Sequence, residues 1–394
     1  MNVSRRLSLI PPSATIAITA KAKQLRADGV DVVSFGAGEP DFDTPQFIKD
    51  AAKSALDSGD TKYMPKAGPA LKEAISAKLR RENNLTIPAG QVAVTFGCKN
   101  ALFNAFQALL NEGDKVLIGA PCWNSYTEMV KLAAGEPVLL PTDQETQFKL
   151  TPQQILDAAD GAKVFVIGSP SNPTGVTYSP AELAALAEAV LQTDMIVFSD
   201  EIYEKLIYGP AEFVSFAALD SRLPERTITF NGPSKTFAMT GWRIGWAAGP
   251  KEIIGAMNVL ASHATTNPTS FAQAGALAAY TSDKSDAIVE SMRAEFELRS
   301  GHMAKRLNAI DGVRCVEPTG ALYCFPDVSA HYGRTIGGVK VTDSLSFASA
   351  ALEGVSVALV PGVAFGADQC VRLSFATSME QIDRGLDRLE KLLA

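Results

Sequence analysis

Histidine is scarce in this chain, with 3 among 394 residues. His263, His302 and His331 are scattered, so neither an imidazole-built zinc site nor a histidine-centred catalytic cluster is expected, and no metal is assigned. The 5 cysteines, Cys98, Cys122, Cys315, Cys324 and Cys370, show no paired ligand spacing and read as reduced thiols of a cytoplasmic protein. No apolar run is long enough to span a membrane. Basic residues are also short: 36 Lys and Arg against 43 Asp and Glu give a net charge of −7. Nucleic acid is therefore not the expected partner, because a phosphate backbone calls for a basic surface. A local cationic pocket for small anions remains compatible with that balance. The first 27 residues carry Arg5, Arg6, Lys21, Lys23 and Arg26 without an acid, as transit peptides do. Pro11-Pro12 interrupt that segment, and the extreme N-terminus is read instead as an arm that packs on a partner subunit.

What is present is apolar and patterned. Hydrophobic residues make up 46% of the chain, enough for a large core divided into two lobes. From Gln91 to about Ser282, short apolar runs alternate with helical patterns. The runs are Val92–Thr95, Val116–Ile118, Val164–Ile167, Ile196–Phe198 and Ile228–Phe230. Leu102, Phe106 and Leu109 mark one face of an intervening helix. Strands alternating with helices predict an α/β fold with a mainly parallel sheet covered on both faces. Ligands bind such sheets at the carboxyl ends of the strands. The last third reads as an α+β lobe: a charged helix over Ala287–Leu307, strand-like runs near 321–326, 355–360 and 371–375, and a final helix from Glu380. No internal repeat or low-complexity linker is visible.

Three segments carry chemistry. Lys235 follows the predicted strand Thr227–Asn231, and Arg243 follows it by eight positions. A lysine held at a strand end in a closed pocket can lose its proton and form a Schiff base. Arg243 with the Ser234 hydroxyl can hold a phosphate. The pair points to a phosphate-bearing aldehyde, of which pyridoxal phosphate is the common one. The second segment, Met195–Tyr203, is a buried strand ending in Asp200. That carboxylate would face the ring nitrogen, and Tyr203 the ring's phenolic oxygen. The third is Ser169-Pro170-Ser171-Asn172-Pro173-Thr174-Gly175, in which two prolines would hold the Asn172 amide as a rigid donor. Each segment alone admits a plainer reading: an exposed lysine, a helix N-cap, a structural turn.

In this order and spacing the segments resemble class I pyridoxal-phosphate aminotransferases of fold type I. The likeness is closer to the bacterial aspartate aminotransferase branch that includes prephenate aminotransferases. Gly36-Ala37-Gly38-Glu39-Pro40-Asp41-Phe42-Asp43-Thr44-Pro45, Ser13-Ala14-Thr15, Thr61-Lys62-Tyr63 and Val371–Ser378 also match, so the likeness runs from about Pro12 to the C-terminus. It implies a large cofactor-binding domain over 47–282. It also implies a small domain made of 283–394 and part of 1–46, which includes the arm. Lys235 would be both covalent anchor and proton carrier, with Asp200 and Tyr203 as its catalytic companions. Gly97, Cys98 and Lys99 would form the phosphate turn, completed by Ser234, Arg243 and Tyr63 of a neighbouring subunit, which implies a homodimer with shared sites. Trp123 would stack on the ring. Arg372 and Gly38 would take the substrate α-carboxylate. Cys98 and Pro233 depart from the small or aliphatic residues usual at their positions.

The resemblance also bears on the substrate. Ser262–Gln273 holds no arginine, where one branch of the family places its distal-carboxylate partner. Lys99 stands where another branch uses a lysine, and Thr15 with Lys99 matches the pair tied to prephenate. Aspartate or glutamate with their 2-oxo acids is therefore expected, with prephenate as a further acceptor. Aromatic or other amino acids, or another reaction such as β-elimination on the same scaffold, stay open as alternatives. A non-catalytic pyridoxal-binding regulator would need a DNA-binding segment that this sequence does not display.

Overall fold

The computed structural model describes residues 4–10, 14–63, 65–66 and 68–394, with the backbone alone for residues 5, 6 and 14–19. After β1 (Val33–Ser34), seven strands build the central sheet. They are β2 (Val92–Thr95), β3 (Lys115–Ala120), β4 (Glu136–Pro141), β5 (Ala162–Gly168), β6 (Ile196–Asp200), β7 (Thr227–Asn231) and β8 (Gly245–Ala248). Their order is β2-β8-β7-β6-β5-β3-β4. β8 runs antiparallel to both its neighbours and all other pairings are parallel.

The pleat explains why both faces of this sheet are dry. Val116, Ile118, Val164, Val166 and Phe198 point to one side, where Leu102, Phe106 and Met257 cover them. Leu117, Phe165, Ile167 and Val197 point to the other, against Leu183, Leu186 and Val190. Helix Pro180–Leu191 starts where the Ser179/Glu182 pair makes a capping box.

The expected strands are present, but two more complete the sheet. β4 is framed by Pro137 and Pro141, which mask it in the sequence, and it lies at the sheet edge where proline is tolerated. β8, Gly-Trp-Ala-Ala, lacks β-branched residues and is held by burial between β2 and β7.

The remaining strands are short: β9 (Tyr323–Cys324), β10 (Thr335–Ile336), β11 (Val339–Lys340), β12 (Val357–Ala358), β13 (Val360–Pro361) and β14 (Val371–Ser374). β13, β14 and β9 form an antiparallel sheet, and β10 pairs with β11. Helices Ser285–Asn308, Ser344–Val355 and Met379–Leu393 pack here around Phe296, Phe347, Leu373, Phe375 and Leu386. β1 pairs in parallel with β12, so the N-terminal segment joins this C-terminal lobe. Phe35 continues that pairing, donating to Ala358 O and accepting from Ser374 N, each at 2.8 Å. The chain beyond it, Gly36 to Gly38, is thereby delivered to the carboxyl ends of the central strands.

Candidate active site

β7 runs into Gly232 and a one-turn helix, Pro233–Thr236, that carries Lys235. Its Nζ donates to the carbonyl of Gly38. Burial lowers the lysine from the ordinary 10.5 to about 8. Glu39 and Asp200 oppose that shift, while Arg372 and Arg243 add to it. An amine with that proton affinity is neutral often enough near neutral pH to serve as nucleophile and base.

Asp200 ends β6 and is buried. The Tyr126 hydroxyl donates to its Oδ2 at 2.6 Å, the Ile202 N–H donates to Oδ1 at 3.2 Å, and Cys98 Sγ lies 3.8 Å from Oδ1. Burial raises the carboxyl's pKa and these donors pull it back. The register places Gly168 of β5 opposite Asp200. A β-carbon on Gly168 would stand 3.2 Å from the Tyr126 hydroxyl, so the missing side chain leaves room for the tyrosine. An anion kept out of water and supplied with donors is a strong partner for a protonated ring nitrogen. Tyr126 was not assigned from the sequence. The Trp123 ring meets it edge-on at 5.4 Å.

A second cluster lies at the turn between β2 and helix Cys98–Leu109. Gly97 takes φ 89°, and no side chain caps the helix that follows. Arg243 spans the turn, donating to Thr240 O at 2.6 Å and Phe96 O at 3.0 Å. Both acceptors are neutral, so its charge stays available. A β-carbon on Gly245 would sit 2.1 Å from the Cys98 amide nitrogen, so that glycine also lets the backbones close up. Ser234 is buried beside them in the same cleft. Uncapped amides at a helix start, a guanidinium and a hydroxyl make a donor set matched to a phosphate monoester.

Arg372, on β14, is buried. Its Nη1 donates to Asn172 Oδ1 at 2.9 Å and its Nη2 to Gly36 O at 3.2 Å. Its Nε is buried with no hydrogen-bond partner among the described residues. A buried donor left without an acceptor is costly unless a ligand supplies one, and a carboxylate is the natural complement of a guanidinium.

These groups line one cleft of about 1120 Å³, together with Gly38, Trp123, Lys99 and Tyr203. Lys99 Nζ stands 4.7 Å over the Trp123 ring, and burial, then Arg243, lowers its pKa. The Asn172 amide has its oxygen committed to Arg372, which leaves its NH₂ to donate. The Tyr203 hydroxyl lies 2.8 Å from that of Tyr323, a residue the sequence reading missed because the contact spans 120 positions. Ile10 also joins the wall and was not foreseen. Tyr63 is not brought to the cleft of its own chain: it is 83% exposed, with its carbonyl accepting from Asn267. Thr15 lies on helix Ala14–Ala27, and its side chain is outside the described residues.

A lysine of lowered proton affinity, a buried carboxylate, uncapped amides beside Arg243 and a buried arginine meet in one cleft, a set of groups suited to an enzyme that exchanges amino and keto groups. The family model for aminotransferase class I and II matches residues 30–389, and the chain belongs to that family. It is 48% identical to the aspartate aminotransferase of Geobacillus stearothermophilus, over 100% of this chain and 99% of that relative. It is 46% identical to the aspartate/prephenate aminotransferase of Cereibacter sphaeroides, over 100% and 98%. The aspartate aminotransferase of Thermus thermophilus, solved with maleate, superposes with a TM-score of 0.93 at 44% identity, covering 100% of both chains.

Proposed function

We propose that this aminotransferase moves the amino group of aspartate or glutamate to 2-oxoglutarate or oxaloacetate by a two-step exchange, with prephenate as a further acceptor. The observation that carries the reading is the cleft shared by Lys235 and Arg372, the first poised to lose its proton and the second buried with Nε unpartnered among the described residues. The names of the relatives support the same substrates.

The donor set fits pyridoxal 5'-phosphate. Lys235 would attach it, and Ser234, Arg243 and the amides of Cys98 and Lys99 would hold its phosphate, with Gly97, whose own N–H donates to Thr95 O at 2.8 Å, shaping the turn. Asp200 would face the ring nitrogen, Trp123 the ring plane, and Asn172 with Tyr203 the phenolic oxygen. When bound, the cofactor supplies an electron-withdrawing ring that acidifies the substrate α-carbon. The protein's own groups do the rest. Arg372 and the Gly38 backbone orient the α-carboxylate, and Lys99 draws the distal carboxylate to the Trp123 side of the cleft. Lys235 Nζ takes the α-proton and returns it, using the low proton affinity that its burial creates. Burial raises the proton affinity of Asp200, and the hydrogen bonds from Tyr126, Ile202 and Cys98 oppose that rise and favour the carboxylate that would face the ring.

The same reading assigns a large domain to 47–282 and a small one to 283–394 with part of 1–46. It places the chain in the cytoplasm as a homodimer in which the exposed Tyr63 reaches the phosphate of the neighbouring site. Among the described residues no helix is long and apolar enough to cross a membrane. A second reading, transfer from aromatic amino acids, draws support from the apolar wall of Leu139, Phe148, Leu150, Ile167 and Phe365 in the same cleft. Paired rates with aspartate and phenylalanine at matched concentrations separate the two. A preference for phenylalanine would displace the dicarboxylate assignment.

A further inference from the structure

We propose that Tyr323 is a positioning residue with two separable tasks: its hydroxyl orients the Tyr203 phenol, and its ring face holds the Arg372 guanidinium. The inference rests on the aminotransferase reading of the cleft and adds a residue to it.

Sheet geometry creates the arrangement. β9 lies beside β14 with Tyr323 opposite Ser374. Arg372 is two residues along β14 from Ser374 and so shares its face, which makes Arg372 and Tyr323 diagonal neighbours. The guanidinium carbon sits 4.4 Å from the Tyr323 ring centroid, and the Phe365 ring lies 4.9 Å away. Two aromatic rings and two hydrogen bonds to neutral acceptors thus fix the guanidinium. The same ring ends in a hydroxyl 2.8 Å from that of Tyr203, and both tyrosines are buried. One hydrogen bond between two phenols uses only one of their two protons. With Tyr323 as the donor, Tyr203 keeps its own proton to offer into the cleft. A β-carbon on Gly38 would stand 3.0 Å from the Tyr323 hydroxyl and 3.9 Å from Arg372 Nη2, so one small residue gives both groups their place.

The test compares the wild type, Tyr323→Phe and Tyr323→Leu, each supplied with pyridoxal phosphate. Tyr323→Phe keeps the ring, and it leaves in place the charges facing Tyr203 from Arg372, Asp200 and Lys235. Its kcat is expected to fall about tenfold, with KM for aspartate and inhibition by maleate changed less than about twofold. The pH midpoint of its visible absorbance should also move upward, because a poorly oriented Tyr203 no longer stabilises the ionised ring oxygen. Tyr323→Leu should in addition weaken maleate inhibition about tenfold, through loss of the ring beside Arg372. Unchanged kcat and midpoint in Tyr323→Phe would overturn the hydroxyl's task. Unchanged maleate inhibition in Tyr323→Leu would overturn the ring's. A wild type with no visible band at all would instead withdraw the reading of Lys235, and this inference with it.

Discussion

A β-carbon on Gly97 would lie 2.3 Å from Nη2 of Arg243. The glycine is therefore needed twice, for its φ of 89° and for the closeness of the guanidinium. Arg243 itself adopts a left-handed φ of 55°, so the turn and the arginine are shaped to each other. Gly97→Ala should push Arg243 off the turn and weaken retention of pyridoxal phosphate by tenfold or more, roughly the loss of one charge-assisted hydrogen bond. Titration of the cofactor into apoprotein measures it, and equal affinity in the variant would remove Arg243 from the phosphate cup.

Tyr126 should matter through Asp200. Tyr126→Phe removes the 2.6 Å donor and leaves burial to raise the carboxyl's proton affinity further. The ionised form then appears only at higher pH. The acidic limb of the kcat/KM profile should shift upward, with kcat down about tenfold at neutral pH. An unshifted limb would mean that Tyr126 only packs.

Lys235 gives a pH dependence with a definite sign. Its pKa falls from 10.5 in the unfolded chain to about 8 in the fold, so between those values the unfolded chain binds the extra proton. Apoprotein stability should therefore gain with pH across that window, whereas below about pH 8 the cost of burying the charge is fully present. Lys235→Met removes the ammonium, and chemical denaturation of the two apoproteins from pH 7 to 10.5 isolates the effect. The variant should be the more stable at pH 7 by up to roughly 3 kcal/mol, with the gap closing by pH 10.5. A constant gap would show that burial does not tune this lysine.

Much of this architecture was legible because its causes are local. The strands that end in Asp200 and Asn231 are short apolar runs bounded by polar turns, and Asp200, Asn172 and Lys235 follow strand ends in the sequence itself. β4 and β8 were not legible, since prolines frame one and the other is held by its two neighbours. The partners that tune the site were hidden for a related reason. Tyr126 meets Asp200 across 74 positions and Tyr203 meets Tyr323 across 120, and no local pattern encodes such a contact.

Lys99 carries the substrate assignment. Held over Trp123 in the wall of the cleft, it is placed to receive a second carboxylate. Lys99→Ala should raise KM for aspartate by tenfold or more and KM for alanine by less than about twofold. Equal effects on the two donors would refute its role as the distal-carboxylate partner.

The central claim is tested most directly by the visible spectrum of the purified protein supplied with pyridoxal phosphate. Aspartate is added first, then 2-oxoglutarate, then, in a separate run, prephenate. The account predicts a yellow band that aspartate bleaches and either 2-oxo acid restores, and no such band in Lys235→Ala. A band that aspartate leaves untouched would contradict the dicarboxylate assignment, and a wild type without any band would contradict the role of Lys235.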